Sequence, residues 1–281
     1  MKLISYSLFG ANNFNEENRF EFRSYLRGFY WNVRMNHLLY PGWKTNVELD
    51  EVTYVAYQGL FDWLKANYGL VINLNCKNTQ VDPLCKAMLW RLKPLFREGV
   101  THVLCRDSDS ITTYREAQCV QLWLESNLAA HAINDNPAHG GLMGGMVGFD
   151  SAKFKAITEA DTWDELLTKD ISFNYQVRGT DQDFMNKFIL PRIKYDLFFH
   201  ALDKVKLPEA HTVTSYVRNI EVPEVNPKLW ESNLTCRHIG SAGVVEMELL
   251  RFFSRFSDEG GQRHKEIEME YPEIFYWRLR R

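Results

Sequence analysis

Two periods of hydrophobicity take turns along the chain up to about residue 200, one near two residues and one near 3.6. Leu3–Phe9 reads as a first strand, and Phe20–Leu39 as a helix with apolar residues at 22, 26, 29, 30 and 33. Thr45–Leu49 is a short strand. Val52–Asn67 is a helix that turns Val55, Leu60, Phe61 and Leu64 inward and stops at Gly69. Val71–Leu74 is a third strand, and Pro83–Phe96 a helix interrupted near Pro94. Val100–Cys105 makes a fourth strand, Thr113–Ser126 a helix and Ala129–Ile133 a fifth strand, and Gly179–Phe184 opens a later amphipathic helix. This alternation predicts a Rossmann-like α/β fold, with a mixed, mainly parallel sheet flanked by helices and ligands bound at the carboxyl ends of strands. Beyond residue 200 the pattern weakens into a loop over 221–227 and a short strand over 235–240 that leads into a glycine turn. Residues 1–281 are expected to form one domain, with 200–281 a less regular part that completes the site.

Composition narrows the function classes. Hydrophobic residues make up 45% and charged residues 25% of the chain, ordinary values for a globular enzyme. Net charge is 33 − 36 = −3, so nucleic acid is not an expected partner, and an anionic ligand has to be met by local charge. No run approaches the ~20 apolar residues of a membrane span. The opening Met1–Gly10 has polar residues inside its apolar stretch and Asn12-Asn13 where a cleavage site would fall, so it reads as a strand rather than a signal peptide. Five scattered cysteines without a C-x-x-C pair fit reduced thiols and a cytoplasmic location. The terminal Tyr276–Arg281 is basic and aromatic, enough for peripheral membrane contact at most.

The candidate chemistry starts at the end of the fourth strand, in Arg106-Asp107-Ser108-Asp109-Ser110. Two carboxylates separated by one residue where a strand bends can converge above the sheet edge. Their hard oxygens suit Mg²⁺ or Mn²⁺ holding a diphosphate. The end of the first strand, with Ser7, Phe9 and Gly10, is a second place for ligand contacts. Arg91 and Lys93 precede the fourth strand and can add positive charge, the alternative for Lys93 being a solvated face. Two roles are open to Arg106: charge toward the ligand, or a salt bridge that orients the neighbouring carboxylates. Five glycines within Gly140–Gly148 allow the backbone at Gly144 and Gly145 to approach a ligand closely, or make a flexible turn. Asp135 and His139 lie in a loop after the fifth strand, where a catalytic base or acceptor contacts belong; the alternative for His139 is plain surface. Asp181 is either the N-cap of the helix beginning near Gln182 or a functional acid at the site opening.

Taken in order, W-R-x-x-P-L, R-D-x-D-S, R-E, D-x-P-x-H, G-G-M-x-G and D-Q segments make the chain resemble the GT-A superfamily of nucleotide-sugar glycosyltransferases, over about Met1–Pro191 and again at His238. The resemblance implies that Asp107 and Asp109 hold a divalent metal and the nucleotide, with His238 as the last metal ligand. It implies Gly144 and Gly145 beneath the donor sugar and Asp181, with Gln182, near the reacting carbon. Ser7, Phe9, Gly10, Arg91, Arg106 and Ser108 are the further expected donor contacts. The expected cofactor is Mn²⁺ or Mg²⁺, the donor a UDP- or GDP-linked sugar, and the acceptor a hydroxyl of a glycan or glycolipid precursor. The segment His238–Gly243 departs from the commoner pattern in lacking a lysine after the glycine, which leaves Arg237 or backbone N–H groups to meet the diphosphate. The chemistry is consistent with such a site, because a cation bridging the phosphates stabilises the negative charge that grows on the leaving diphosphate.

Three rivals remain at this stage. A haloacid-dehalogenase-like phosphohydrolase also ends a strand in D-x-D-S, but it normally does so on the first strand and leaves the glycine and D-Q segments without a part. A nucleotidyltransferase calls for a basic glycine-rich loop after the first strand, and Gly10–Glu17 is not basic. A non-catalytic protein of the same fold that binds nucleotide-sugars is the third.

Overall fold

β1 (Lys2–Leu8) sends Ile4, Tyr6 and Leu8 into one core and Leu3 into another, so the sheet is buried on both faces, as its apolar run requires. The architecture is that of a computed structural model, which describes residues 1–11, 19–77, 84–134, 141–169, 173–175, 177, 179–201, 211–214, 265, 270 and 271. Eight strands lie in the order β3-β2-β1-β4-β6-β5-β7-β8. Besides β1 they are β2 (Trp43–Asp50), β3 (Val71–Cys76), β4 (His102–Arg106), β5 (Ala130–Asn134), β6 (Met146–Asp150), β7 (Leu197–Ala201) and β8 (His211–Thr214). All neighbours pair in parallel except at β6, which runs against both β4 and β5. The expected mixed, mainly parallel sheet flanked by helices is therefore what the chain forms.

On one face, α1 (Arg19–Leu39), α3 (Gln58–Tyr68) and α5 (Tyr114–Ser126) bury Phe22, Leu26, Phe29, Leu60, Phe61 and Trp123 against Tyr6, Val47 and Leu104. On the other face, Leu89, Leu92 and Leu95 meet Phe154 of α6 (Ser151–Thr158), Leu166 of α7 (Trp163–Thr168) and Phe184, Phe188 and Ile193 of a helix over 180–193. No described helix is long and apolar enough to cross a membrane.

Several elements differ from expectation for local reasons. The helix expected over 52–67 is two helices, α2 (Glu51–Ala56) and α3, separated at Tyr57, whose φ of −132° is not helical. The break resets the helical phase, so Val55 is 62% exposed and Thr53 takes the inward position instead. Gly69 stops α3 as expected, in the left-handed conformation at φ +66°. The helix expected over 83–96 is α-helical only in α4 (Leu84–Met88) and continues as a 3₁₀ segment, Leu89–Phe96. Pro94 has no N–H to give the carbonyl of Trp90, so the tighter turn replaces the α-turn. Met146–Asp150, to which the hydrophobic pattern assigns no element, is a strand. A Cβ on Gly148 would press on His131 Cδ2 and Leu104 Cδ2 at 2.6 Å, so that glycine serves cross-strand packing.

The same face of the sheet holds two buried histidines, His131 on β5 and His200 on β7, and among the described residues neither ring nitrogen of His131 has a hydrogen-bond partner. His131 stacks on Trp123 at 4.8 Å between centroids. Burial pushes both pKa values down, for His131 helped by nearby Arg106, and for His200 to about 4. Groups lowered in the folded state leave stability unaffected above their unfolded pKa, ~6.5, and reduce it as pH falls below that value. The expected slope is up to about 1.4 kcal/mol per pH unit per histidine between pH ~6.5 and ~4. Urea midpoints measured across that window should show this slope, and His131→Phe/His200→Leu should flatten it; an equal slope in the double variant would refute the assignment.

Candidate active site at the crossover between the first and fourth strands

After β1 the chain lays β2 and β3 to one side, then returns to place β4 on the other side of β1. The carboxyl ends of β1 and β4 thus flank the point where strand order reverses, the usual crevice for a ligand in such sheets. The chain from Arg106 onward and the segment Ser7–Gly10 meet there.

Strand alternation decides the fates of Arg106 and Asp107. Leu104 and Arg106 face the α1/α5 side, and Cys105 faces the opposite side. Arg106 is buried and pairs with Glu116 of α5, Nε to Oε1 at 2.6 Å, while its Nη1 donates to the carbonyls of Cys105 and Val147, each at 2.8 Å. Tyr40 adds its hydroxyl to the same Glu116 oxygen at 3.1 Å. The expected roles of Arg106, as donor contact or as salt-bridge partner of the D-x-D acids, are therefore corrected. Its guanidinium is held on the far face by a carboxylate from the R-E segment.

Asp107 follows on the other side and forms an ion pair with Arg91 of the 3₁₀ segment. Arg91 is fixed from several directions. Its backbone N–H donates to Ser7 Oγ at 2.9 Å, its Nε donates to the Met88 carbonyl at 2.9 Å, and Nη2 stands 4.0 Å from Asp181 Oδ2. Burial alone disfavours the Arg91 cation, but Asp107 and Asp181 outweigh that and hold it charged. Ser7 spends its hydroxyl on this seam, donating to the Met88 carbonyl at 3.3 Å. Lys93 turns elsewhere, donating to Asn75 Oδ1 at 2.5 Å and lying over the Trp90 and Trp163 rings.

The reversal of β6 brings the glycine segment alongside, since Met146 is in register with Arg106. A Cβ on Gly145 would overlap the Asp107 carboxylate, so glycine at 145 is what lets this acid sit where it does. Gln182, expected near the transfer point, has both ends of its amide engaged by the loop. It donates to the Leu142 carbonyl and accepts from Gly144 N–H at 3.2 Å. Asn186, one turn on, accepts from Leu142 N–H at 2.8 Å. Asp181 is not the N-cap: Gly179, at φ +91°, holds that position, and Asp181 is the second residue of α8 (Thr180–Asp183). Burial pushes the Asp181 carboxyl up, and Arg91 opposes the shift. Beyond α8 the helix loosens into a π-turn over Phe184–Ile189, with Leu190 N–H reaching the Met185 carbonyl, before α9 (Leu190–Ile193) carries Pro191.

At the end of the first strand, Phe9 packs edge-on against Trp90 at 5.6 Å. Gly10, at φ +79°, donates its N–H to Asp50 Oδ2 at 3.1 Å, and Ala11 N–H reaches Thr53 Oγ1 at 3.1 Å. Sequence reading passed over Asp50. The signal was present as a polar row at period two, Asn46, Glu48 and Asp50, all buried in the sheet. Asp135, His139 and His238 lie outside the described residues, as does the basic-aromatic tail.

Among the described residues, no group of three or more His, Cys, Asp or Glu side chains could hold a metal ion. The described candidates are Asp107, 46% exposed, and Asp109, partly exposed on the turn that follows. Two carboxylates fit Mg²⁺ or Mn²⁺ if substrate phosphates and water complete the shell. A cation arriving at Asp107 competes with Arg91 for the same oxygens.

The molecule is thus an α/β protein with two acids and a shared guanidinium at the switch point of a mainly parallel sheet. No protein-family model matches the chain, and no curated protein does. Among solved structures, the crystal structure of mouse xyloside xylosyltransferase 1 in its apo form is similar at a TM-score of 0.37 and 12% identity, over 72% of this chain and 84% of that one.

Proposed function

We propose that the chain is a metal-dependent glycosyltransferase that moves a sugar from a nucleotide-diphosphate donor to a hydroxyl acceptor, a glycan or glycolipid precursor. In this reading Asp107 and Asp109 hold Mn²⁺ or Mg²⁺ against the diphosphate of a UDP- or GDP-linked donor, with His238 as a further ligand. The bound metal supplies charge stabilisation to the leaving diphosphate. Arg91 keeps Asp107 and Asp181 within reach of one another and adds positive charge beside the phosphates. Gly145 makes room for the Asp107 carboxylate itself, and Asp181, whose carboxyl burial pushes up against the opposing pull of Arg91, lies where the reacting sugar is held.

One observation carries the reading. Asp107, Gly145 and Asp181 come from three separate segments that the resemblance orders in this way, and they meet around Arg91 at the switch point. The test is a thermal-shift screen of UDP and GDP with and without Mn²⁺, since a ligand of the native state raises its stability by mass action. A metal-dependent shift with one nucleotide is expected, and Asp109→Ala should abolish both the shift and sugar transfer. Full activity in Asp109→Ala would remove the metal assignment. Hydrolysis of a simple phosphoester without any nucleotide-sugar would favour the phosphohydrolase instead.

A further inference from the structure

We infer that one face of α1, carrying Gly28, Asn32 and Asn36, positions the D-x-D turn and through it the carboxylates offered to the metal. The inference rests on the donor-site reading above and concerns residues that do not themselves touch donor or metal.

These three residues recur every fourth position and so share one face of the helix. Asn32 is fully buried, and its amide spans the turn. Nδ2 donates to the carbonyls of Ser108 at 3.1 Å and Ser110 at 2.9 Å, and Oδ1 accepts from Thr112 N–H at 2.9 Å. The Thr112 hydroxyl lies 3.1 Å from the same Oδ1 and 2.9 Å from Asn36 Oδ1. Both donors of the Asn32 amide are thereby used and its oxygen accepts from Thr112 N–H, while the single Thr112 hydroxyl proton is shared between the oxygens of Asn32 and Asn36. Asn36 in turn donates to Tyr6 Oη at 3.0 Å and Thr45 Oγ1 at 3.2 Å, tying the arrangement to β1 and β2.

Gly28 supplies the clearance. A Cβ there would overlap the Ser108 carbonyl oxygen and stand 3.0 Å from Asp109 Cα, so the turn lies directly on the helix backbone. Glycine and asparagine both weaken a helix interior, and here they stand well inside a 21-residue helix. Helix formation gives no reason for them. The turn does, because the backbone's own closure from Ser110 N–H to the Asp107 carbonyl is long, at 3.4 Å, and an amide from α1 fixes what that bond leaves loose. Side chains that orient metal ligands without binding the metal typically change its affinity by about 10- to 100-fold when removed.

The experiment measures binding of UDP and of GDP, each with Mn²⁺, to the full chain by calorimetry, alongside the melting temperature and far-UV spectrum of the unliganded protein. Asn32→Ala is expected to weaken the Mn²⁺-dependent binding by about 10- to 100-fold at temperatures where the variant is folded. Gly28→Ala is expected to do the same although alanine favours the helix, because the added methyl group displaces the turn. If Asn32→Ala does not fold, Gly28→Ala decides. A folded variant that binds as tightly as the unmodified chain, even with a lowered melting temperature, overturns the inference and leaves the donor-site reading standing. Failure of the unmodified chain to bind either nucleotide with Mn²⁺ overturns both.

Discussion

Glu116→Ala is expected to lower the free energy of unfolding by about 3–5 kcal/mol, the usual cost of leaving one member of a buried ion pair behind. Arg106 would remain buried with two backbone carbonyls as acceptors, and among the described residues its Nη2 has no partner to begin with. Tyr40 would lose the acceptor of its hydroxyl. Glu116→Gln keeps an acceptor and removes the charge, so it should fall between the two. Replacing both partners, as Arg106→Leu/Glu116→Leu, should recover much of the loss, because two apolar groups leave no stranded charge. Urea denaturation at neutral pH measures the series. A Glu116→Ala midpoint within error of the unmodified chain would show that the pair is not what holds β4 to α5.

Arg91→Ala is the second large effect, and it acts on stability and binding together. Asp181, 9% exposed, would keep its carboxylate in a buried place with no guanidinium opposite. Asp107 is half in water, so the expected loss of stability is smaller than for a sealed pair, about 2–3 kcal/mol. Binding of the Mn²⁺–nucleotide should weaken by at least about tenfold, the scale of one lost charge-assisted contact. Lysine should rescue little, since a single ammonium cannot reach the Met88 carbonyl, Asp107 and Asp181 from one planar fork. Denaturation and calorimetry on Arg91→Ala and Arg91→Lys check this, and an Arg91→Lys variant equal to the unmodified chain in both would defeat it.

The fold was legible wherever one period ran long enough to be read. β1, α1, β4 and α5 were placed to within a few residues because their apolar positions repeat without interruption. Short elements escaped. β6 contains Gly148 and follows a glycine-rich stretch, so local composition spoke for a turn while cross-strand packing against His131 and Leu104 made a strand. Val55 was misplaced because nothing in the sequence announces the phase break at Tyr57. At the candidate site, the nearness of Arg91 and Asp107 was legible from their place beside the fourth strand. The true partner of Arg106 was not, since alternation at a strand end turns on a single residue of register. Gly28 and Asn32 were invisible for a further reason. In a helix they register only as poor helix formers, and their purpose lies in a turn 76 residues away along the chain from Asn32.

β6 also matters to a chain being made from its amino end. Among the described strands it is the only seam between two parallel halves, β3-β2-β1-β4 on one side and β5-β7-β8 on the other. A nascent polypeptide that has emerged as far as Asp107 can already pair β1 with β2 and β4, but Gly145, Gln182 and Asp181 have yet to be synthesised. Domains assemble from the segments available, and contacts distant in sequence come last. Arg91 and Asp107 both precede the reversed strand in the chain, whereas Asp181 can join them only after it has been made. Until then the growing chain carries Arg91 and Asp107 without the second carboxylate.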